Sequence, residues 1–296
     1  MTDSDRRSSC SWAGGQERNF FSDGFAVLKQ FLDEDEVPAV RGLIECLLRS
    51  PVDVACTRPH NTLLPLRWNH PIVQLLLKSV DRIQGLTDAV GAADLKWISG
   101  YVSIKEACSP ALWWHQDWWC WDHPVSYQGP ATQIATLCYL SDTSVHSGAL
   151  RVLPGSHRRS APIHAILPEA HSEHSQGLEP GHAAMGNLGG QITPDLKAGD
   201  AVAIDYRLLH GTHPNATDAR RDCVLFSFTP CWRQLPEDIR AHLVSHPAQP
   251  SFAEDPERLT GISDLLPKFA GVRRSLSLNR NAPENFAISD AVAPNR

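Results

Sequence analysis

The sequence has no apolar run near the ~18 residues a membrane-spanning helix needs, and its mean hydropathy is −0.26, so nothing in it spans a bilayer. It has no excess of basic residues. The net charge is −6 and the pI about 6.1, which excludes nucleic acid as the main partner. It has no C-x-x-C pair among its eight cysteines, so neither a zinc ribbon nor a thioredoxin-like redox motif is supported. The start, MTDSDRRSSCSWAGGQ, has no apolar core behind its charges and does not read as a signal peptide. A cytoplasmic protein with buried free thiols is the expectation. Internal repeats are absent, as is the alternation of strands and helices that marks a parallel sheet. Apolar residues at 42% and charged residues at 20% are ordinary globular usage, which rules out disorder and coiled coil. Tyrosine is scarce, four residues against nine tryptophans, and five of the nine lie between Trp113 and Trp121.

Residues 1–17 are polar and read as a flexible N-terminus. A Ser-Asp-Gly turn then feeds the short apolar strand around Phe25, and Asp33 is expected to cap a helix with Glu34, Asp35 and Glu36 in its first turn. Val37, Val40, Ile44, Leu47 and Leu48 recur at spacings of three and four, which is one buried helix face. A second helix is expected from Pro71, carrying Ile72, Leu75, Leu76, Leu77 and Val80 towards Gly85. From about Lys96 the pattern changes to short strands broken by Gly, Pro, Asp and Ser, and this points to a sandwich or barrel. Helices first and strands after give an α+β chain, mainly β. A stretch of about two dozen residues from 167 to 193 has no periodicity and reads as a lid over a site. LPEDIRAHLV, after Trp232, reads as a short helix, and the end of the chain returns to polar coil.

The sharpest local signal is His115-Gln116-Asp117. Residues two apart on a strand share a side, so this imidazole and carboxylate can meet at one point. They make two-thirds of the facial triad that holds non-haem Fe(II) with open positions. Alone, H-x-D is a weak pattern in a chain with 14 histidines. A third donor stands at the end of AVAIDYRLLH, where a period of two puts Val202, Ile204, Tyr206, Leu208 and His210 on one face. That placement suits either a core histidine or a ligand at a barrel mouth. Beyond the turn-rich THPNATDA come Arg220 and Arg221. An arginine there could hold a carboxylate in a bidentate fork, whereas Arg220 reads as solvent-facing. His213 and Asn215 could touch substrate or shape the turn. His171, His174 and His182 sit in the aperiodic stretch, where a lid is favoured over a second metal site.

His115-x-Asp117, the segment GALRVLPGSH at 148–157, and HGTHPN…R from His210 to Arg221 together resemble the phytanoyl-CoA dioxygenase family over about residues 20–235. The resemblance implies a double-stranded β-helix (jelly roll, cupin-like) with flanking N-terminal helices. It implies one oxygenase domain over 18–275 with its core at about 96–232, and a polar tail over 276–296. The implied cofactors are Fe(II), the co-substrate 2-oxoglutarate and O2, with His115, Asp117 and His210 as metal ligands and Arg221 on the 2-oxoglutarate carboxylate. Thr212, two residues after the distal histidine, is implied to support that carboxylate, and Trp121, six after the first, to line the same cavity. The implied reaction is hydroxylation of a small molecule, of the kind found in specialised metabolism, with desaturation, epoxidation or rearrangement as other outcomes. Asp117 disfavours halogenation, because the halogenating branch has a small residue there. The tryptophan-rich run departs from the family's usual pattern, and no coenzyme A surface is apparent.

Two other readings compete: a non-catalytic jelly roll that binds a metal or small ligand, and a zinc hydrolase with a His2Asp site. The tryptophans likewise have two readings, core packing or an aromatic wall around the iron formed by Trp113, Trp119 and Trp121.

Overall fold

Short strands with one apolar face must stack sheets or cover them with helices, and this chain does both. The computed structural model describes residues 20–50, 61–251, 254 and 261–288. In chain order its strands are β1 (Phe25–Leu28), β2 (Thr62–Leu66), β3 (Lys96–Lys105), β4 (Leu112–His115), β5 (Ile134–Tyr139), β6 (Leu150–Val152), β7 (Ala201–Asp205), β8 (His210–Thr212) and β9 (Arg221–Thr229). Six form one sheet in the order β1-β7-β5-β9-β3-β2, and three form a second in the order β4-β8-β6. Every pairing is antiparallel.

The larger sheet is two-faced by the period of two. On β9, Val224, Phe226 and Phe228 join the main core with Trp97, Val40, Ile44, Ile72 and Leu86. Arg221, Cys223 and Leu225 face a cavity instead. The helices covering the apolar side are α1 (Phe20–Asp23), α2 (Glu36–Leu48), α3 (Pro71–Leu77) and α4 (Val80–Val90); α5 (Glu173–Gln176) and α6 (Glu237–Leu243) come later, and α6 packs in a separate core with Trp119 and Trp121. No helix among the described residues is long and apolar enough to cross a membrane.

Several expectations are corrected. The helix after Asp33 starts at Glu36 and is not capped by the Asp33 side chain. The Asp33 carbonyl accepts from the Glu36 and Val37 amides, and the Glu36 carboxylate accepts from the Asp33 amide at 2.9 Å. Val37, Val40 and Ile44 are buried as the spacing requires. The single helix from Pro71 is two, because Ser79 accepts from the Arg82 amide and starts α4. Gly85 lies inside α4, which ends instead at Gly91 in the left-handed conformation (φ 62°). Cys120, Cys138 and Cys223 are buried free thiols, but Cys46 and Cys108 are exposed. The N-terminal stretch 1–17 lies outside the described residues. Residues 276–288 are no tail: Phe286 and Ile288 are buried beside Trp121, and the Asn279 amide donates to the Trp119 carbonyl at 2.9 Å.

The largest correction concerns 201–212, which is not one strand. Asp205 turns the chain by accepting from the Arg207 amide (2.8 Å), while the Leu208 amide donates to the Asp205 carbonyl (2.8 Å). The buried Arg207 guanidinium pairs with Asp205 at 2.7 Å and donates to the carbonyls of Ser126 and Gln128. Val202, Ile204, Tyr206, Leu208 and His210 are therefore not on one continuous strand, although Val202, Ile204 and Leu208 still pack in one core with Tyr206 against it. The chain changes sheets at this turn, and His210 opens β8 opposite β4.

Candidate metal centre and cavity

The two histidines are cross-strand neighbours, His115 closing β4 and His210 opening β8. Directly opposed residues on antiparallel strands bring their side chains together, and the two rings lie 4.2 Å apart, centroid to centroid. Gly211 permits the approach, since a Cβ there would stand 2.8 Å from the Leu112 carbonyl and 2.9 Å from that of Trp113. Each ring is anchored by Nδ1 on the carbonyl two residues before it, Trp113 for His115 and Leu208 for His210, both at 3.0 Å. An Nδ1–H used this way leaves the lone pair on Nε2. Both Nε2 atoms face Asp117, His115 at 3.6 Å from Oδ1 and His210 at 3.6 Å from Oδ2.

His171 makes the fourth contact, with its Nε2 2.9 Å from Asp117 Oδ1. Its backbone takes a left-handed φ of 63°, uncommon for a residue with a side chain. The ligating atoms of His115, Asp117 and His171 lie within 4.8 Å of one another, a group that does not include His210, whose Nε2 is 3.6 Å from Asp117 Oδ2. Strand position and the Nδ1 anchor favour His210 as a ligand, while His171 is placed to donate to the carboxylate. Burial alone would push the Asp117 pKa up, but the surrounding imidazoles of His210, His171 and His115 hold its carboxyl well below the usual carboxylate range. Burial, then the neighbouring His210, keeps the His115 pKa well below its ordinary value, so its Nε2 stays a lone-pair donor. Lone pairs converging in this way are stabilised by a divalent cation. Two imidazoles and one carboxylate are the donor set non-haem Fe(II) takes, so the residues present fit that metal.

The opposite wall carries cations. Lys105 ends β3 and pairs across the sheet with Arg221, which opens β9. Both are buried, at 1% and 4% exposure, where an ammonium or guanidinium is rare without an anion to face. Arg221 donates to the Gly148 carbonyl at 2.9 Å and lies over the Tyr139 ring, 5.1 Å from its centroid. Its Nε is buried without a hydrogen-bond partner among the described residues. Gly148 makes room for this pair: a Cβ on it would lie 2.5 Å from the Lys105 side chain. The Lys105 pKa is lowered to about 7, by burial first and then by Arg221 and Arg151. Thr212 shares the inward face of β8 with His210, and its hydroxyl accepts from the Leu112 amide at 3.3 Å. Both walls enclose a cavity of about 610 Å³, which also takes in His171.

The aromatic run divides. Trp113 and Trp119 line the cavity. Trp121 does not: it packs on Phe286 (4.8 Å between centroids) in a separate core. Regular alternation stops with β4 at His115, so parity cannot reach Trp121. His213 also lies off the cavity wall, its Nε2 2.8 Å from the Thr193 hydroxyl, and Asn215 braces the turn through the Glu106 and Ala219 carbonyls. Arg220 pairs with Asp222 on the outside. Lys105 was not read from the sequence, and His171 was read there as part of a lid rather than as a partner of Asp117. Lys105 does share strand parity with Tyr101 and Ser103, but its pairing with Arg221 depends on a register the sequence does not display.

This arrangement of sheets is shared with HygX from Streptomyces hygroscopicus, solved with nickel, 2-oxoglutarate and hygromycin B, at a TM-score of 0.52 and 22% identity over 71% of this chain and 84% of that one. Together with the sequence match that follows, fold and site define a 2-oxoglutarate-dependent non-haem iron dioxygenase. Residues 20–223 match the family model described as phytanoyl-CoA dioxygenase (PhyH), and the chain belongs to that family. An ectoine dioxygenase of Sphingopyxis alaskensis is 24% identical over 223 residues, 68% of this chain and 71% of that one. A dioxygenase of Alternaria alternata is 27% identical over 178 residues, 59% of this chain, and this chain spans about half (51%) of its length.

Proposed function

We propose that the chain hydroxylates a small molecule, with Fe(II) held by His115, Asp117 and His210 and with 2-oxoglutarate anchored by Arg221, on a double-stranded β-helix. The single observation carrying this is the facing of two cross-strand pairs, His115/His210 on one sheet and Lys105/Arg221 on the other, across one cavity. Ligands from 105 to 221 close one site, which supports a single oxygenase domain. Iron bound there would supply activation of O2, coupled to conversion of 2-oxoglutarate to succinate and CO2. The chain's own share is binding and orientation. Arg221 offers its unpartnered Nε, and Lys105 its charge, to the distal carboxylate. Thr212, already accepting from the Leu112 amide, has its own proton left to donate. Trp113 and Trp119 wall the cavity and exclude water.

Anaerobic protein with Fe(II) and 2-oxoglutarate is expected to show a weak visible charge-transfer band, and aerobic turnover of a substrate to yield succinate one-for-one. Zinc-dependent hydrolysis without that band would overturn the reading. His171 orients Asp117 by its hydrogen bond, so His171→Ala is expected to weaken Fe(II) about 10–100-fold, the cost typical of an outer partner. Titration against a coloured chelator measures this, and His171→Asn, which keeps a donor, is expected to recover part of the loss.

A further inference from the structure

From the far end of the cavity, we infer that the substrate carries a carboxylate, received by Arg280 and His242 with its apolar body lying against Trp119. This rests on the oxygenase reading and names the substrate class of the same site. Among the described residues, Asp117 is the one carboxylate lining the cavity, and it is engaged by three imidazoles. Lys105 and Arg221 serve the co-substrate end. The third cation of the wall, Arg280, has no carboxylate partner among the described residues, and its Nη1 reaches the Asp117 carbonyl at 3.4 Å. Its guanidinium therefore lies beside the metal centre.

The neighbouring groups are donors too. His242 Nδ1 accepts from the Leu276 amide at 3.0 Å, so the neutral ring carries its proton on Nε2. His242 and Arg280 both line the cavity, and burial, then Arg280, lowers the His242 pKa, which keeps that ring neutral. The His242 ring stacks on Trp119, 4.2 Å between centroids and 29° between planes. Trp119 is in turn fixed by its Nε1 hydrogen bond to Gln133 at 2.8 Å. His246 Nδ1 likewise accepts from the Ala248 amide, turning its Nε2 to the Tyr101 hydroxyl at 3.2 Å. Three cationic side chains against one carboxylate that is already engaged select an anionic ligand, and the aromatic and aliphatic side chains of the same lining, Trp119 and Leu278 among them, select an apolar body.

Arg221 is anchored on the Gly148 carbonyl and Arg280 on the Asp117 carbonyl, so the two guanidiniums occupy different parts of the cavity wall.

The test uses full-length protein loaded anaerobically with Fe(II) and saturating 2-oxoglutarate, titrated with phenylacetate, 3-phenylpropionate and cyclohexanecarboxylate, and with the carboxamide of each. Tryptophan fluorescence and the shift of the visible band report binding. At least one acid is expected to bind at least about tenfold more tightly than its amide, because the acid adds a charge to the hydrogen bonds that the amide makes without one. Arg280→Gln is expected to abolish that preference while leaving 2-oxoglutarate affinity unchanged, and Arg280→Lys to restore part of it. Amides binding as well as acids, a preference that survives Arg280→Gln, or no binding by any acid would each overturn the inference. A missing visible band before any titrant is added would instead count against the oxygenase reading itself.

Discussion

Asp117→Ala or His210→Ala is expected to leave a folded chain that no longer retains Fe(II) and no longer forms succinate. Each variant removes one of three donors from a site whose remaining atoms cannot regroup. The His115 and His210 rings are held by their Nδ1 bonds to the Trp113 and Leu208 carbonyls, and Gly211 locks the two strands together behind them. The loss in metal affinity exceeds the ~10–100-fold that an outer partner contributes. Here the two candidate triads separate. If His210 is the ligand, His210→Ala empties the site whereas His171→Ala only weakens it; the reverse order would transfer the role to His171. The fold survives because the main core lies on the other side of the larger sheet, among Trp97, Phe226, Phe228 and the helices, with no atom at the metal centre. Iron content after anaerobic loading, read beside circular dichroism and a melting curve, decides the matter. Wild-type iron content in Asp117→Ala would falsify the assignment.

Legibility in the sequence followed the range over which each interaction acts. Helix α2 was readable because Val37, Val40 and Ile44 report on one face through local spacing alone. His115 and Asp117 were readable because they are two residues apart, and His210 and Arg221 because their distance along the chain matches a family pattern. The turn at Asp205 was not, since what holds Arg207 there comes from carbonyls of Ser126 and Gln128, some 80 residues earlier. Trp121 was placed by the family resemblance and His213 by its neighbourhood to His210, and neither holds once a strand has ended. His171 was noticed with His174 and His182, but no local spacing set it apart from them. It lies in an aperiodic segment whose course is set by other contacts, including Arg151, which donates to the Met185 and Gly186 carbonyls. Lys105 needed the β3–β9 register, which becomes known only once the sheet is assembled. Family spacing thus pointed to the candidate ligands and to Arg221, while Lys105 beside Arg221 required three dimensions.

Arg221→Gln is expected to weaken 2-oxoglutarate at least about 30-fold without lowering iron content. Removing one member of a buried, hydrogen-bonded charge pair costs roughly 2–5 kcal/mol, and 2 kcal/mol is already that factor. Glutamine keeps a donor for the Gly148 carbonyl, so the variant tests charge and fork geometry rather than packing. Lys105 adds a pH dependence whose sign follows from its neighbours. Burial, Arg221 and Arg151 lower its pKa to about 7 from an ordinary 10.5. Between those values the unfolded chain binds a proton that the folded, ligand-free chain has released, so Lys105 makes the ligand-free protein more stable as pH rises from about 7. Binding has the opposite slope. A dianion beside Lys105 favours the ammonium, so 2-oxoglutarate binds with uptake of a proton and weakens above pH 7, by up to about tenfold per pH unit. Calorimetry in buffers of different ionisation enthalpy measures the proton uptake directly. Lys105→Met is expected to remove both the uptake and the slope. In Arg221→Gln the slope is expected to begin at a higher pH, because one of the charges depressing Lys105 is gone. An affinity independent of pH between 7 and 9 in the parent protein would exclude Lys105 from the co-substrate's carboxylate, leaving Arg221 to hold it with Thr212.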